Sequence, residues 1–152
     1  MLDPIMLAVA YRLNGCNFQM SAKKLKRGLK LKEDGSPAKY TAIPLYYLAS
    51  QAAELYLKAA LLKRGMNEEL LKKFDYRHNL DKLLHVLQKK GITVTSQTAN
   101  VVIGLSKQHK NHTLRYNSIV GLEEKLYWPP LDLVFEALDE LLLLTKISTH
   151  GI

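Results

Sequence analysis

Several features are scarce or missing in this 152-residue sequence, and each absence narrows the class of protein. The single cysteine, Cys16, cannot form an intramolecular disulfide, which excludes a disulfide-stabilised secreted scaffold. No signal peptide is visible, and no apolar run approaches the ~18 residues that a membrane-spanning helix needs. We therefore expect a cytoplasmic protein that does not enter a membrane.

The common short signatures of enzymes are missing as well. The chain has no glycine-rich phosphate loop, no CxxC or HExxH motif and no Gly-x-Ser-x-Gly elbow. It also has no internal repeat and no sustained strand-like alternation of polar and apolar residues. With 47% hydrophobic and 24% charged residues, the composition is that of an ordinary globular domain, not of a disordered or fibrous chain.

Positive charge is concentrated in one place. The net charge is +8, and the segment KKLKRGLKLK (23–32) holds six cations and no acid. Such a segment can bind nucleic-acid phosphates by releasing counterions, or it can be a solvated surface. It contains no aromatic residue, which argues against a platform for stacking bases. The candidate nucleic-acid contacts are Lys23, Lys24, Lys26, Arg27, Lys30 and Lys32.

The longest apolar stretch is IPLYYLASQAAELYLKAALLKRG, and it predicts one helix over residues 43–65. Its only proline, Pro44, lies in the first turn, where no helical hydrogen bond is lost. Apolar residues cover well over half of the circumference, so this helix should have neighbours on several sides. The remaining polar stripe is either solvated or a polar seam at a groove or subunit contact. It consists of Tyr47, Gln51, Glu54 and Lys58.

Two helices are predicted before this central helix. Asp3 caps the first, with Pro4 at its first position, and Asn14-Gly15 ends it. A second, weaker helix runs from about Asn17 to Arg27. The stretch that follows, with Asp34-Gly35-Ser36-Pro37, predicts a loop.

Four helices are predicted after it. Asn67 caps a short helix that ends near Lys73, and Asn79 caps a helix that closes at Lys89-Lys90-Gly91. After an extended connection at 92–95, a helix runs from Ser96 to His109, and 110–128 is a loop. Pro129-Pro130 begins the last helix, whose acidic face we expect to be solvated. That face consists of Asp132, Glu136, Asp139 and Glu140.

These patterns predict an all-α protein. We expect an up-and-down helical bundle of four to five main helices at 39–152. Residues 1–38 would form an N-terminal helical extension with the basic segment and loop.

Two polar clusters could carry chemistry. In Tyr76-Arg77-His78-Asn79, His78 either caps the next helix or lines a cleft. The second cluster has two imidazoles and three cations within ten residues, which suits an anion or an RNA phosphate. His109 and His112 are three apart, but no carboxylate follows in the segment to complete a metal site, so no metal or cofactor is expected. The second cluster consists of Lys107, His109, Lys110, His112, Arg115 and Tyr116.

Three of these segments resemble, in order and separation, the HEPN domain, the higher-eukaryote and prokaryote nucleotide-binding four-helix bundle. They are AAELYLKAALLKRG (52–65), YRHNLDKLL (76–84) and LRYN (114–117). The resemblance covers about residues 39–145. It implies a bundle that usually dimerises and is often encoded beside a minimal nucleotidyltransferase. Some members act as metal-independent ribonucleases in toxin–antitoxin and phage-defence systems.

By position, the resemblance implies site residues at Glu54, Lys58, His78, Arg115 and Tyr116. With His112 of the second cluster added, we expect these residues to form a polar ligand-binding cleft. Ribonuclease members place a histidine after an arginine with four to six residues between them, and no arginine of this chain has one there. We therefore expect a homodimer that binds a nucleotide, RNA or a nucleotidyltransferase partner without strong catalysis. The alternatives are a divergent ribonuclease using His109 or His112 with Arg115, and a protein–protein interaction module.

Overall fold

Helices form the regular structure of the part of the chain that the computed structural model describes, residues 3–37, 42–73, 75–110 and 129–146. Within these ranges there is no strand, only an isolated bridge between Leu31 and Pro37. The predicted all-α class is confirmed. The helices are α1 (Pro4–Lys26), α2 (Ile43–Lys63), α3 (Glu68–Leu71), α4 (Leu80–Lys89), α5 (Ser96–Lys110) and α6 (Leu131–Leu144).

Helix α2 forms the centre of the molecule. Fifteen of its 21 residues are buried, and it contacts α1, α4, α5 and α6. Alanines at 49, 52, 53, 59 and 60 are all buried, and such short side chains let neighbouring helices approach closely. Leucine and tyrosine side chains between them fill the space that remains. The prediction of a central helix with neighbours on several sides is confirmed.

The prediction that Asn14-Gly15 ends the first helix is wrong, because α1 continues without interruption to Lys26. Gly15 is buried against the ring of Tyr56 on α2, and a Cβ at residue 15 would lie 2.6 Å from Tyr56 Cε1. The glycine therefore permits a close helix–helix contact instead of a helix stop. The start of α1 is as predicted, since the Asp3 side chain accepts a hydrogen bond from the Ile5 N–H.

The remaining helix boundaries follow the predicted signals closely. Asn67 accepts a hydrogen bond from the Glu69 N–H at the start of α3, and Asn79 accepts one from the Lys82 N–H at the start of α4. Residues 92–95 are extended, as predicted, and α5 and α6 begin where expected. The loop predicted at 110–128 lies, apart from its first residue, outside the described residues.

The acidic face of α6 is largely exposed to solvent, as predicted, but its carboxylates also make contacts that the sequence did not predict. Asp132 pairs with Lys26 at 2.6 Å and Asp139 accepts a hydrogen bond from Gln19, so these two carboxylates link α6 to α1. Glu136 accepts from Gln97, and Glu140 accepts from the N–H and hydroxyl of Thr95. The acids therefore join α6 to the helices on both sides.

Within the described ranges, none of the helices combines the length and the apolar character required to cross a bilayer.

Candidate functional site

Glu54, near the middle of α2, is a buried carboxylate at the centre of a polar cluster and is only 3% exposed. Its Oε1 lies 2.7 Å from Lys58 Nζ and accepts the backbone N–H of His78 at 3.1 Å. Its Oε2 lies 3.0 Å from His78 Nδ1 and 2.7 Å from His109 Nε2. The carboxylate thus receives four donors, a full complement for two oxygen atoms. We call these four residues the Glu54 cluster.

Three separate elements supply the cluster. Glu54 and Lys58 lie one turn apart on α2, the favourable order for an ion pair within a helix. His109 belongs to the last turn of α5. His78 lies in the turn before α4 and has φ of 56°, a left-handed conformation that is uncommon outside glycine. The cluster therefore joins α2, α5 and the entrance of α4.

The position of His78 excludes one of its two predicted roles. The side chain that caps α4 is Asn79, whereas both the backbone N–H and the ring of His78 bind Glu54. The capping role for His78 is therefore wrong. Because a carboxylate is only an acceptor, the protons of these bonds sit on Nδ1 of His78 and Nε2 of His109.

The charge balance of the cluster keeps Glu54 ionised. Burial by itself raises the pKa of this carboxyl, but hydrogen bonds from His109 and His78 and the charge of Lys58 outweigh burial. The net result is a pKa of Glu54 well below its ordinary value of 4.5. The Lys58 ammonium, 2.7 Å from Oε1, supplies the counter-charge of the carboxylate inside the protein.

The depressed pKa of Glu54 predicts a pH dependence of stability. The unfolded chain takes up a proton near pH 4.5 while the folded carboxylate does not, so the contribution of Glu54 is complete above that pH and lost below it. The slope should reach about 1.4 kcal/mol per pH unit for this one proton. Urea unfolding of the wild type and of Glu54→Gln between pH 6 and pH 3 measures it. Equal pH slopes for the two proteins would contradict the assignment.

The cluster also offers the ligand types of a metal site. One ligand atom each from Glu54, His78 and His109 lie within 4.8 Å of one another, and two histidines with one carboxylate can bind transition metals. A cation there would have to replace the two N–H protons that already satisfy Oε2. It would also lie close to the Lys58 ammonium, 2.7 Å from Oε1. We therefore assign no metal to this cluster.

Of the three side chains around Glu54, His78 is the most exposed to solvent. The side chain of His109 is fully buried and that of Lys58 is 10% exposed, whereas His78 is 23% exposed. The ring of Tyr47 flanks the cluster, with its centroid 6.3 Å from that of His109. Of the two interpretations of the polar stripe on α2, the solvated one is wrong for Glu54 and Lys58.

The structure brings together part of the predicted ligand site. Glu54, Lys58 and His78 meet as the resemblance implies, whereas the predicted positions His112, Arg115 and Tyr116 lie outside the described residues. His109 was predicted only in the second polar cluster, yet it is a partner of Glu54. Its spacing from Val102 and Leu105, seven and four residues, already places it on the buried face of α5.

The six cations of the basic segment, residues 23–32, have two kinds of surroundings in the structure. Lys26 pairs with Asp132, and the ammonium groups of Lys23 and Lys26 lie 5.9 and 5.4 Å from the centroid of the Phe135 ring. The other four cations, Lys24, Arg27, Lys30 and Lys32, are exposed. Within the described ranges no hydrogen bond or ion pair joins this segment to the Glu54 cluster. The segment therefore forms a separate surface.

A cavity of about 490 Å³ lies away from the cluster, between the start of α1 and the junction of α2 with α3. Its lining includes Leu7, Leu62 and Met66 together with Glu68 and Glu69. Glu68 pairs with Lys72 at 3.1 Å, and the lining itself contains no cation that would attract a phosphate. The cavity contains none of the residues predicted to bind a ligand.

Comparison of the chain with protein-family models, curated proteins and solved structures finds no match. The resemblance to the HEPN domain therefore stays a prediction carried by the residues quoted above.

Proposed function

We propose that this chain is a HEPN-like helical domain that binds the phosphate groups of a nucleotide or of RNA. The observation that carries the proposal is the meeting of Glu54 and Lys58 with His78, since these residues come from two of the three segments that carry the resemblance. The third segment, 114–117, follows shortly after His109 in the chain. The fourth member of the cluster, His109, is therefore close in sequence to the remaining candidate residues.

The chemistry of the candidate residues suits an anionic ligand with a base. The guanidinium of Arg115 would form paired hydrogen bonds with a phosphate, and Tyr116 would offer a ring for stacking. The partly exposed imidazole of His78 would contact the ligand beside them. The buried members of the cluster have a positioning role, because Glu54 fixes both the His78 turn and the end of α5.

Replacing Arg115 with alanine should weaken binding of a nucleotide or of a short RNA about tenfold or more. A hydrogen-bonded contact between a cation and phosphate contributes roughly 1.5–3 kcal/mol. Isothermal titration with ATP and fluorescence anisotropy with labelled single-stranded RNA measure the effect, and His112→Ala should act in the same direction. The matched control is Lys89→Ala, which removes an exposed cation at the end of α4. Unchanged binding in both Arg115→Ala and His112→Ala would remove these residues from the site.

The wider role is proposed on the resemblance alone. It includes a homodimer, a nucleotidyltransferase-family partner and a place in a toxin–antitoxin or defence system in the cytoplasm. A divergent ribonuclease is the alternative. The complete burial of His109 argues against its contact with a substrate, which leaves His112 with Arg115 for that chemistry. Incubating the purified protein with RNA and a chelator tests the alternative, since a metal-independent ribonuclease would still cleave.

A further inference from the structure

Helix α1 carries a stripe of exposed apolar side chains on its outer face. Met6, Leu13 and Met20 are 63%, 54% and 59% exposed, and they follow one another at intervals of seven residues. Ala10 and Asn17 lie between them and are exposed as well. At 3.6 residues per turn these five residues fall within about 100° of arc, so they form one continuous strip. We call this strip the outer seam.

The outer seam lies directly opposite the face that α1 uses inside the molecule. Ala8, Gly15 and Ala22 are buried, again seven residues apart, and this face packs against α2. A helix with a single packing face carries polar residues on the other side. An apolar seam with an average spacing of 3.5 residues is instead typical of a helix that pairs with another helix. The outer face of α1 therefore has the residue pattern of a second packing face.

We propose that α1 pairs in antiparallel orientation with α1 of a second copy of this chain, with the two-fold axis near Leu13. A seam of this period fits a helix with the same period. This inference specifies the interface of the homodimer in the proposed function and rests on that part of it. It does not depend on ligand binding.

The charges at the two ends of α1 favour the antiparallel orientation. Asp3 stands at the start of α1, and Lys24 lies in its last turns on the same face as the seam. Antiparallel pairing about Leu13 brings Asp3 of each copy towards Lys24 of the other. Parallel pairing would place each Lys24 against its own counterpart and align the two helix dipoles unfavourably.

Leu13→Lys tests the seam, because it places two like charges close to the proposed axis. Light scattering coupled to size exclusion should give about twice 17.3 kDa for the wild type and 17.3 kDa for the variant. The matched control is Ile5→Lys, since Ile5 is 56% exposed but lies on the flank of the seam. It should remain dimeric, and circular dichroism checks that both variants are folded.

Cross-linking tests the orientation. In a Cys16→Ser background, which removes the only native thiol, Leu13→Cys should be joined to its counterpart by a short bismaleimide. Met6→Cys alone should not be joined, because antiparallel helices place the two copies of residue 6 about 20 Å apart along the axis. A mixture of Met6→Cys and Met20→Cys proteins should be joined across the pair.

Three results would overturn the proposal. They are a monomeric wild type at 100 µM protein, a Leu13→Lys variant that remains dimeric, and equal loss of the dimer in Ile5→Lys. Cross-linking of Met6→Cys with itself would show a parallel pair and overturn the orientation. ATP and RNA binding by the Leu13→Lys protein is measured separately, so a failure of the seam and a failure of the ligand site give different results.

Discussion

Glu54→Gln should destabilise the protein by about 3–5 kcal/mol, the usual cost of removing one partner from a buried ion pair. The substitution leaves the Lys58 ammonium, which is only 10% exposed, without its counter-charge. It also places an amide where two imidazole N–H groups and one backbone N–H now donate to the carboxylate. At most one of the two oxygens remains an acceptor, so at least one buried donor loses its partner.

Chemical denaturation followed by circular dichroism measures this loss. The control, Glu33→Gln, removes the same charge from an exposed loop position and should change stability by no more than about 0.5 kcal/mol. A Glu54→Gln protein within about 1 kcal/mol of the wild type would mean that the cluster does not support the fold.

A double-mutant cycle separates the charge pair from the rest of the cluster. Lys58→Met alone leaves Glu54 with its histidine donors, whereas Glu54→Gln alone leaves a buried ammonium without a charge partner. The double variant leaves neither charge unpaired. We therefore expect it to be less destabilised than the sum of the two single variants. Simple additivity would show that Lys58 is adequately solvated without Glu54.

Local sequence signals were sufficient to predict the positions of most of the helices. The burial of α2 on nearly all sides follows from its composition, and the caps at Asp3, Asn67 and Asn79 follow from short polar side chains before apolar runs. These signals depend on residues a few positions apart, which is why a single sequence contains them. Proline and the paired lysines before Gly91 locate other ends in the same way.

The composition of the site could be predicted only in part, because it depends on distant parts of the chain. Glu54 is separated by 24 residues from His78 and by 55 from His109. No local sequence pattern predicts that an imidazole at the end of one helix will form a hydrogen bond with a carboxylate in the middle of another. The resemblance predicted Glu54, Lys58 and His78 as site residues. The contact of His109 with Glu54 depends on the packing of α5 against α2, which the sequence alone did not predict. The hydrogen bonds of the acidic face of α6 have the same origin.

Gly15 shows how one local signal can have two meanings. After Asn14 it has the sequence of a helix stop, but in the structure it lies in the middle of α1, where its missing side chain admits Tyr56. Inside a helix, glycine to alanine normally stabilises by about 1 kcal/mol. The close contact between α1 and α2 should reverse that sign.

Gly15→Ala should therefore destabilise the protein by about 1–3 kcal/mol, the typical cost of overpacking a core. Its Cβ would lie 2.6 and 2.7 Å from Cε1 and Cδ1 of Tyr56. That ring cannot easily move aside, because it is fully buried and its hydroxyl donates to Gln19 Oε1 at 2.7 Å. Thermal and urea unfolding measure the change. A variant more stable than the wild type would show that the two helices can separate at little cost.

Gly28→Ala is the matched control, since a Cβ there would meet only the Leu25 carbonyl oxygen at 3.9 Å. It should change stability by no more than about 0.5 kcal/mol. Tyr56→Leu supplies the second comparison, because the shorter side chain frees the space beside residue 15. In that background Gly15→Ala should lose most of its cost, and the difference between the two backgrounds measures the contact itself. An unchanged cost would place the origin of the effect in the backbone of α1 instead of in its packing against α2.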